Sequence, residues 1–154
     1  MNSNINIVQV ESMKLIAVPV VGFQNLSEAY SRLISWAIPK GLMDHPNTQM
    51  VQIYHDSARD TAHDNVRISA CLKVSYDVEV DSKMKLLELD PGRCIVASMQ
   101  TKPAEFENSW KNLFKWMNDN NHFKADSDPF EIHHNNYREH PEGKCIVDLC
   151  IPIN

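Results

Sequence analysis

FEIHHNNYREHPEGKCIVDLCIPI, residues 130–153, decides the fold of this chain because the chain contains it twice. A shift of 79 positions places it, without a gap, on VQIYHDSARDTAHDNVRISACLKV, residues 51–74. The overlay pairs Tyr54 with His133 and His55 with His134. Both copies have the pattern of a strand, a long polar loop and a second strand. An internal repeat of this length indicates a duplicated architecture.

The repeat continues into two helical segments. LSEAYSRLISWA (26–37) and FENSWKNLFKWM (106–117) overlay at a shift of 80 positions. Each carries an apolar stripe at i, i+4, i+7, i+8 and i+11, which is one face of an α-helix. We therefore predict a single domain, residues 1–154, made of two repeats at about 4–75 and 84–153.

Two apolar strands precede each predicted helix, and we interpret each pair as a β-hairpin. Residues 4–10 and 14–21 flank a turn at Glu11–Ser12 in the first copy. Residues 85–89 and 93–99 flank Asp90-Pro91-Gly92 in the second. Pro19 cannot donate to a strand ladder, so it predicts an edge or a bulge in its strand.

The predicted fold class is α/β (α+β), with internally duplicated strand-helix-strand-strand units. We expect a largely antiparallel sheet with the helices on one face. Two such units related by a pseudo-twofold axis would leave a ligand cleft at their seam.

Composition limits the function. The chain has 154 residues, 43% of them hydrophobic, which is enough for a packed core. Its net charge is −5 and its cations are scattered, which disfavours direct nucleic-acid binding. It has no apolar run of the roughly 18 residues that span a bilayer, and its N-terminus does not resemble a signal peptide. We therefore expect no membrane association and a cytoplasmic location.

Metal and cofactor chemistry is not indicated. The four cysteines are not spaced as C-x-x-C, and their apolar surroundings predict buried thiols. His133 and His134 are adjacent on a strand, so they point to opposite faces and cannot chelate one ion. No sequence motif ties a serine or cysteine nucleophile to a base, so no catalytic residue is assigned.

Strand alternation suggests which side chains face a ligand. If Ile68 and Ala70 face the first helix, then Ser69 faces away from it, and we expect Tyr54 to do so too. The equivalent set in the second copy contains Asp148, Glu131 and His133. These are the side chains that the predicted cleft would present.

Asp148 is the unusual member of that set, because its counterpart in the first copy is the uncharged Ser69. A carboxylate among apolar neighbours either has a partner or is penalised when ionised. It is a candidate anchor for a cation, unless it pairs with a strand residue or is solvated. Aromatic residues of the helices could stack on the same ligand. The candidate ligand-binding residues are Asp148, Trp110, His133, Tyr54, Glu131, Trp36 and Ser69.

The duplicated unit, the motif FENSWKNLFKWM and the ending PFEIHHNNYREHPEGKCIVDLCIPI together resemble the GyrI-like small-molecule-binding domains. That family includes effector-binding halves of AraC-type and MerR-type multidrug regulators and stand-alone DNA gyrase inhibitors. The resemblance implies a pocket for large apolar or cationic compounds at the seam between the repeats. It matches Asp148 to a pocket glutamate, Trp110 to a helix tryptophan and His133 to a position that is often tyrosine.

Two hypotheses follow from the sequence. The first is a stand-alone protein that binds an amphipathic or cationic small molecule, either to sequester a toxic compound or as an inhibitor that partners DNA gyrase. The alternative is a hydrolase in which Asp148 acts as general base, helped by Tyr54 or His133. The absence of a catalytic motif favours the binding protein.

Overall fold

A computed structural model of the protein describes residues 3–154. It contains eight strands and two α-helices, joined by loops and short 3-10 turns. The elements in chain order are β1 (Ser3–Val10), β2 (Met13–Val21), α1 (Leu26–Ala37), β3 (Gln49–Tyr54), β4 (Arg67–Val74), β5 (Lys85–Leu89), β6 (Gly92–Thr101), α2 (Phe106–Asp119), β7 (Phe130–His133) and β8 (Cys145–Pro152).

Two compact units make up the chain, and each is a four-stranded antiparallel sheet with one helix. One unit spans residues 12–90, with strand order β5-β2-β4-β3. The other combines the described residues up to 11 with residues 91–154, in the order β1-β6-β8-β7. We refer to them as the 12–90 unit and the C-terminal unit. The α+β class and the antiparallel pairing are as predicted.

Each helix covers one face of the sheet of its own unit. In the 12–90 unit, Leu33 packs with Ile16 and Leu72. In the C-terminal unit, Leu113 packs in the same way with Ile95 and Leu149. These side chains are fully or almost fully buried, so each unit has its own helix-side core.

The predicted hairpins are wrong in their pairing. β1 pairs with β6 and not with β2, and β5 pairs with β2 and not with β6. The first strand of each sequence repeat therefore belongs to the unit built by the other repeat. Because the repeats are alike, β1 and β5 present similar alternation, so the pattern does not distinguish the two partners. The connection at Glu11–Ser12 also lacks the glycine or asparagine that closes a tight hairpin.

Pro19 lies where its strand has only one neighbour. The β2–β5 ladder runs from Met13 to Ala17 on the β2 side, whereas the β2–β4 ladder continues to Val21. The free side of β2 beyond Ala17 accommodates a residue that has no N–H donor. This confirms the predicted edge position.

Candidate functional site

The phase of β7 places Glu131 on the helix side of its sheet. Glu131 pairs with Leu149 and His133 pairs with Val147 across the antiparallel ladder. Leu149 and Val147 belong to the core beneath α2. The prediction that Glu131 and His133 face the same way as Asp148 is therefore wrong. Alternation along one strand sets which residues share a side, but the register with the next strand decides which side that is.

Glu131 is a buried carboxylate held between a helix residue and a strand residue. The indole Nε1 of Trp110 donates to its Oε1 at 2.8 Å. The Nε2 of His133 lies 2.9 Å from its Oε2. The ring of Phe106 packs beside His133, with a centroid separation of 6.0 Å. We call Phe106, Trp110, Glu131 and His133 the carboxylate site.

Burying the Glu131 carboxylate would carry a large free-energy cost if it had no hydrogen-bond partners. The residue is only 2% exposed. An unpaired carboxylate in such a position is strongly unfavourable, whereas charge-assisted hydrogen bonds offset the loss of water. The indole can only donate, so it holds Oε1 as an acceptor. A helix aromatic, Trp110, and a strand histidine, His133, thus hydrogen-bond one carboxyl group inside the protein.

The 12–90 unit has the same arrangement without the charge. Gln52 occupies the position of Glu131 in the repeat and is 8% exposed. Its Oε1 accepts from the Tyr30 hydroxyl at 3.2 Å, and its Nε2 donates to the Tyr54 hydroxyl at 2.8 Å. Tyr54 pairs with Ile68, so it lies on the helix side and not on the opposite face as predicted. The repeat thus presents one acidic and one neutral version of a single geometry.

Asp148 lies on the other face of the C-terminal unit. It pairs with Ile132 on one side and with Ser98 on the other. The Ser98 hydroxyl donates to its Oδ1 at 2.7 Å, and the Nε2 of His134 lies 2.9 Å from its Oδ2. Burial raises the pKa of Asp148, but these hydrogen bonds and the charge of His134 outweigh burial, so the pKa is lowered. Asp148 and Trp110 are consequently on opposite faces of the sheet.

Ser69 and Trp36, the remaining predicted site residues, belong to other local structures of the 12–90 unit. Ser69 is 4% exposed, and its Oγ lies 2.7 Å from the Nε2 of His55. Ser69 and His55 overlay Asp148 and His134 in the repeat, so this pair has a serine where the other repeat has an aspartate. Trp36 packs at the margin of the helix-side core, with the ammonium of Lys40 4.5 Å from its ring centroid.

An open groove of about 820 Å³ lies at the ends of β6 and β8. It does not include Glu131. Its polar lining is dominated by charged residues, among which Lys144 and Glu142 form an exposed ion pair at 2.8 Å. The lining residues are Ser98, Met99, Gln100, Thr101, Lys102, Glu105, Glu142, Lys144 and Ile146. The ion pair offsets two of the four charged side chains that line the groove, so these two do not favour a ligand of either sign.

Several partners in these clusters were not among the predicted site residues, and Gln52, Ser98 and His134 are three of them. The repeat carried a signal for two of them. Gln52 overlays Glu131 and His134 overlays His55, so a role assigned to one copy points to the other. No local pattern marked Ser98, because only the β6–β8 register brings it to Asp148.

Two antiparallel α+β units, each with a polar side chain buried beneath its helix, define a duplicated fold with the chemistry of a binding site. The model of the GyrI-like small molecule binding domain matches residues 3–154, and the chain belongs to that family. No curated protein matches the sequence.

Solved structures show the same fold at low sequence identity. The C-terminal domain of EcmrR is 12% identical, with a TM-score of 0.77, and the alignment covers 100% of this chain and 99% of that one. In the EcmrR–DNA complex this chain spans only 57% of the matched chain. A hydrolase from Listeria innocua is 14% identical with a TM-score of 0.68, and the coverage is 97% and 91%. SAV2435 bound to tetraphenylphosphonium is 12% identical with a TM-score of 0.62, and the coverage is 98% and 94%.

These findings confirm the predicted family and support a small-molecule ligand. The predicted cleft at the seam of the repeats and the roles of individual residues remain predictions. In the described residues, no helix is long and apolar enough to cross a membrane.

Proposed function

We propose that the protein binds amphipathic organic cations and that Glu131 supplies the negative charge that selects them. The observation that carries this proposal is the burial of the Glu131 carboxylate beneath α2, where it is hydrogen-bonded to the Trp110 ring and to His133, and the Phe106 ring packs beside His133. The other repeat has the neutral Gln52 at the equivalent buried position, so this geometry does not require a charge. The charge of Glu131 is what distinguishes the carboxylate site.

The chemistry of the site suits a delocalised cation better than a compact one. Aromatic faces attract a cation through their quadrupole, by about 0.5 to 2 kcal/mol each. A carboxylate in a medium of reduced dielectric adds several times the attraction that it would exert in water. A lipophilic cation gains from both and loses little hydration when it enters. SAV2435, which shares this fold, is bound to such a cation, tetraphenylphosphonium.

Titration with tetraphenylphosphonium tests the proposal, with affinity measured by calorimetry. Glu131→Gln reproduces the side chain that nature places at Gln52, so it preserves size and hydrogen bonding while removing the charge. We expect it to weaken binding roughly tenfold to a hundredfold. Triphenylphosphine oxide, a neutral ligand with three phenyl rings, should bind the wild type and the variant alike.

Asp148→Asn is the matched control for a carboxylate elsewhere in the same unit. If Glu131 is the counter-ion, the Asp148 variant keeps wild-type affinity. If Asp148 is the anchor, as the family resemblance implies, the two variants exchange their effects. Equal affinity in the wild type and both variants would rule out either carboxylate as the selective charge.

The alternative hydrolase function has weaker support. A general base works best when its pKa is near the operating pH, whereas the pKa of Asp148 is lowered. Its proposed helper His133 lies on the opposite face of the same sheet. Turnover of an epoxide or activated cyclopropane by the wild type, abolished in Asp148→Asn, would nevertheless establish this activity.

Gyrase inhibition and toxin sequestration are narrower versions of the binding function. The family resemblance supports them, and a gyrase supercoiling assay tests the first. Inhibition that rises with the concentration of this protein is the expected result for a gyrase partner. Unchanged supercoiling at a large molar excess would leave the small molecule as the partner.

A further inference from the structure

His133 occupies the place that a competing ligand cation would take. Its Nε2 lies 2.9 Å from Oε2 of Glu131, on the opposite side of the carboxylate from the Trp110 indole. Glu131 is only 2% exposed, so a ligand cation contacts it only after a covering side chain has moved. The identity of that side chain determines what the site can bind and when.

The structure favours His133 as the side chain that moves. Trp110 is anchored within the helix, where its ring packs on the core and lies 6.0 Å from the ring of Phe114. His133 is the last residue of β7, where the ladder ends and a polar loop begins. Its side chain is 18% exposed, compared with 3% for that of Glu131. Rotation of His133 toward the loop would break its contact with Oε2 and leave the contact between Trp110 and Oε1 in place.

We propose that His133 is the specificity-determining residue of the carboxylate site, because it acts as an internal, proton-dependent competitor of the ligand cation. This inference rests on the proposed function. A protonated imidazole forms an ion pair with Glu131 and offsets its charge, whereas a neutral imidazole does not. Cation binding therefore displaces His133 and releases a proton, and affinity falls as the pH is lowered.

The repeat supplies the comparison that isolates this effect. Tyr54 stands at the equivalent position in the 12–90 unit and hydrogen-bonds the neutral Gln52. A tyrosine cannot carry a positive charge, so it cannot compete with a cation in this way. His133 therefore contacts the acidic residue Glu131, whereas Tyr54 contacts the neutral Gln52.

Other ionisable groups near the pair do not reproduce the behaviour. On β8, burial and then the charge of Glu131 raise the pKa of the Cys145 thiol, so the thiol is neutral through the range in which histidine titrates. Burial, followed by the charge of Asp148, raises the pKa of Cys150 well above its usual range. The α2 residues against the pair, Phe106 and Trp110, do not titrate. His134 and Asp148 face the opposite side of the sheet.

Calorimetric titration with tetraphenylphosphonium at several pH values tests the inference, because this cation does not itself ionise. Wild-type affinity should fall roughly tenfold between about pH 8 and about pH 5.5, the range in which histidine changes its charge. His133→Tyr should reduce that change to less than about twofold. His134→Gln, the adjacent histidine on the other face, should retain the wild-type dependence.

The proton released when the cation binds can also be measured directly on the wild-type protein, independently of the change in affinity with pH. Titrations near pH 6.5 in two buffers of different ionisation enthalpy should differ in apparent heat for the wild type and agree for His133→Tyr. His133→Gln serves as a second variant should the tyrosine impair folding, which circular dichroism reveals.

The outcomes separate the two proposals. Wild-type binding that is independent of pH overturns the role of His133 and leaves the cation site standing. An equal fall in the wild type and in both His133 variants assigns the titration to Glu131 itself and also overturns it. Failure of the cation to bind at any pH removes both the site and its competitor.

Discussion

Thr101 is a buried residue whose hydroxyl oxygen has no hydrogen-bond partner among the described residues. It is the last residue of β6 and is 2% exposed. A buried polar group without a partner costs roughly 1–3 kcal/mol. This position therefore offers a simple test of the packing at the end of the C-terminal unit.

Thr101→Val keeps the shape of the side chain and removes the orphaned hydroxyl. We expect the free energy of unfolding to rise by about 1 kcal/mol, which corresponds to an increase in Tm of about 2–4 °C. Thr101→Ser is the control, because it keeps the hydroxyl and deletes a methyl group, and it should be destabilising. A loss of stability in the valine variant, measured by urea unfolding, would mean that the hydroxyl has a partner.

Single residues were the hardest features to predict from sequence. Asp148 stood out because it interrupts an apolar run, and the structure confirms that it is unusual, with Ser98 and His134 on its carboxylate. Glu131 gave a weaker signal, although it is the more deeply buried acid. If a strand slips by one residue against its neighbour, each of its side chains moves to the other face of the sheet. The long polar loop between β7 and β8 does not fix the register of these two strands, so the sequence did not show which face Glu131 occupies.

The strand pair β3–β4 is closed by a charged contact at its loop end. Asp56 follows β3, and its Oδ2 accepts from the backbone N and the Nε of Arg67, both at 3.0 Å. Its Oδ1 accepts from Nη2 of Arg67 at 2.8 Å. These hydrogen bonds and the charge of Arg67 lower the pKa of Asp56 to about 2. The second repeat closes the same corner with Asn135, whose Oδ1 accepts from the backbone N of Ile146 at 2.7 Å.

Asp56→Asn therefore copies the neutral closure of the other repeat. The folded-state pKa of Asp56 is below its ordinary value, so its contribution to stability is present above about pH 4 and disappears as the pH falls toward 2. We expect the variant to melt slightly below the wild type at pH 7, on the order of 1–2 °C because the pair is partly exposed.

Melting curves recorded between about pH 7 and about pH 2 check this prediction. The gap between wild type and variant should close at the acid end, where Asp56 of the wild type also loses its charge. A gap that stays constant over this range would assign the effect to lost packing and not to the ion pair.

Helices were the elements that the sequence specified best. The bounds of α1 agree with the predicted segment. Ile38, the residue before Pro39, keeps right-handed helical dihedrals, and the chain continues as a 3-10 turn over Ile38–Lys40 that ends at Gly41 in a left-handed conformation. The strands were placed correctly but paired wrongly at the start of each repeat. A helix forms its hydrogen bonds locally, whereas a strand needs a partner that its own alternation does not identify.

At the scale of the whole molecule, the first strand of each repeat pairs with a strand of the other repeat. The repeat boundaries in the sequence fall near residues 75–84, but the compact units divide at residues 11–12 and 90–91. β1 therefore starts the chain in the C-terminal unit, and β5 completes the 12–90 unit. Each unit depends on a strand encoded by the other repeat, so a chain cut at the sequence boundary contains neither unit intact.

This topology makes a prediction about fragments. Residues 12–90 contain β2, α1, β3, β4 and β5, which is a complete sheet with its helix. Residues 1–83 contain the same helix and one whole repeat, but they lack β5 and leave β1 without its partner β6. The two fragments are similar in length, so chain length alone does not distinguish them.

We expect the 12–90 fragment to be the more stable of the two, with a cooperative urea transition and helical circular dichroism. The 1–83 fragment should unfold at lower urea with a broader transition, because β2 loses a neighbour and β1 exposes both edges. Adding residues 84–90 to the second fragment restores β5 and should recover most of the difference. If residues 1–83 were as stable as residues 12–90, β1 would have replaced β5 beside β2, and the repeats would be able to fold as the hairpins that their sequence suggests.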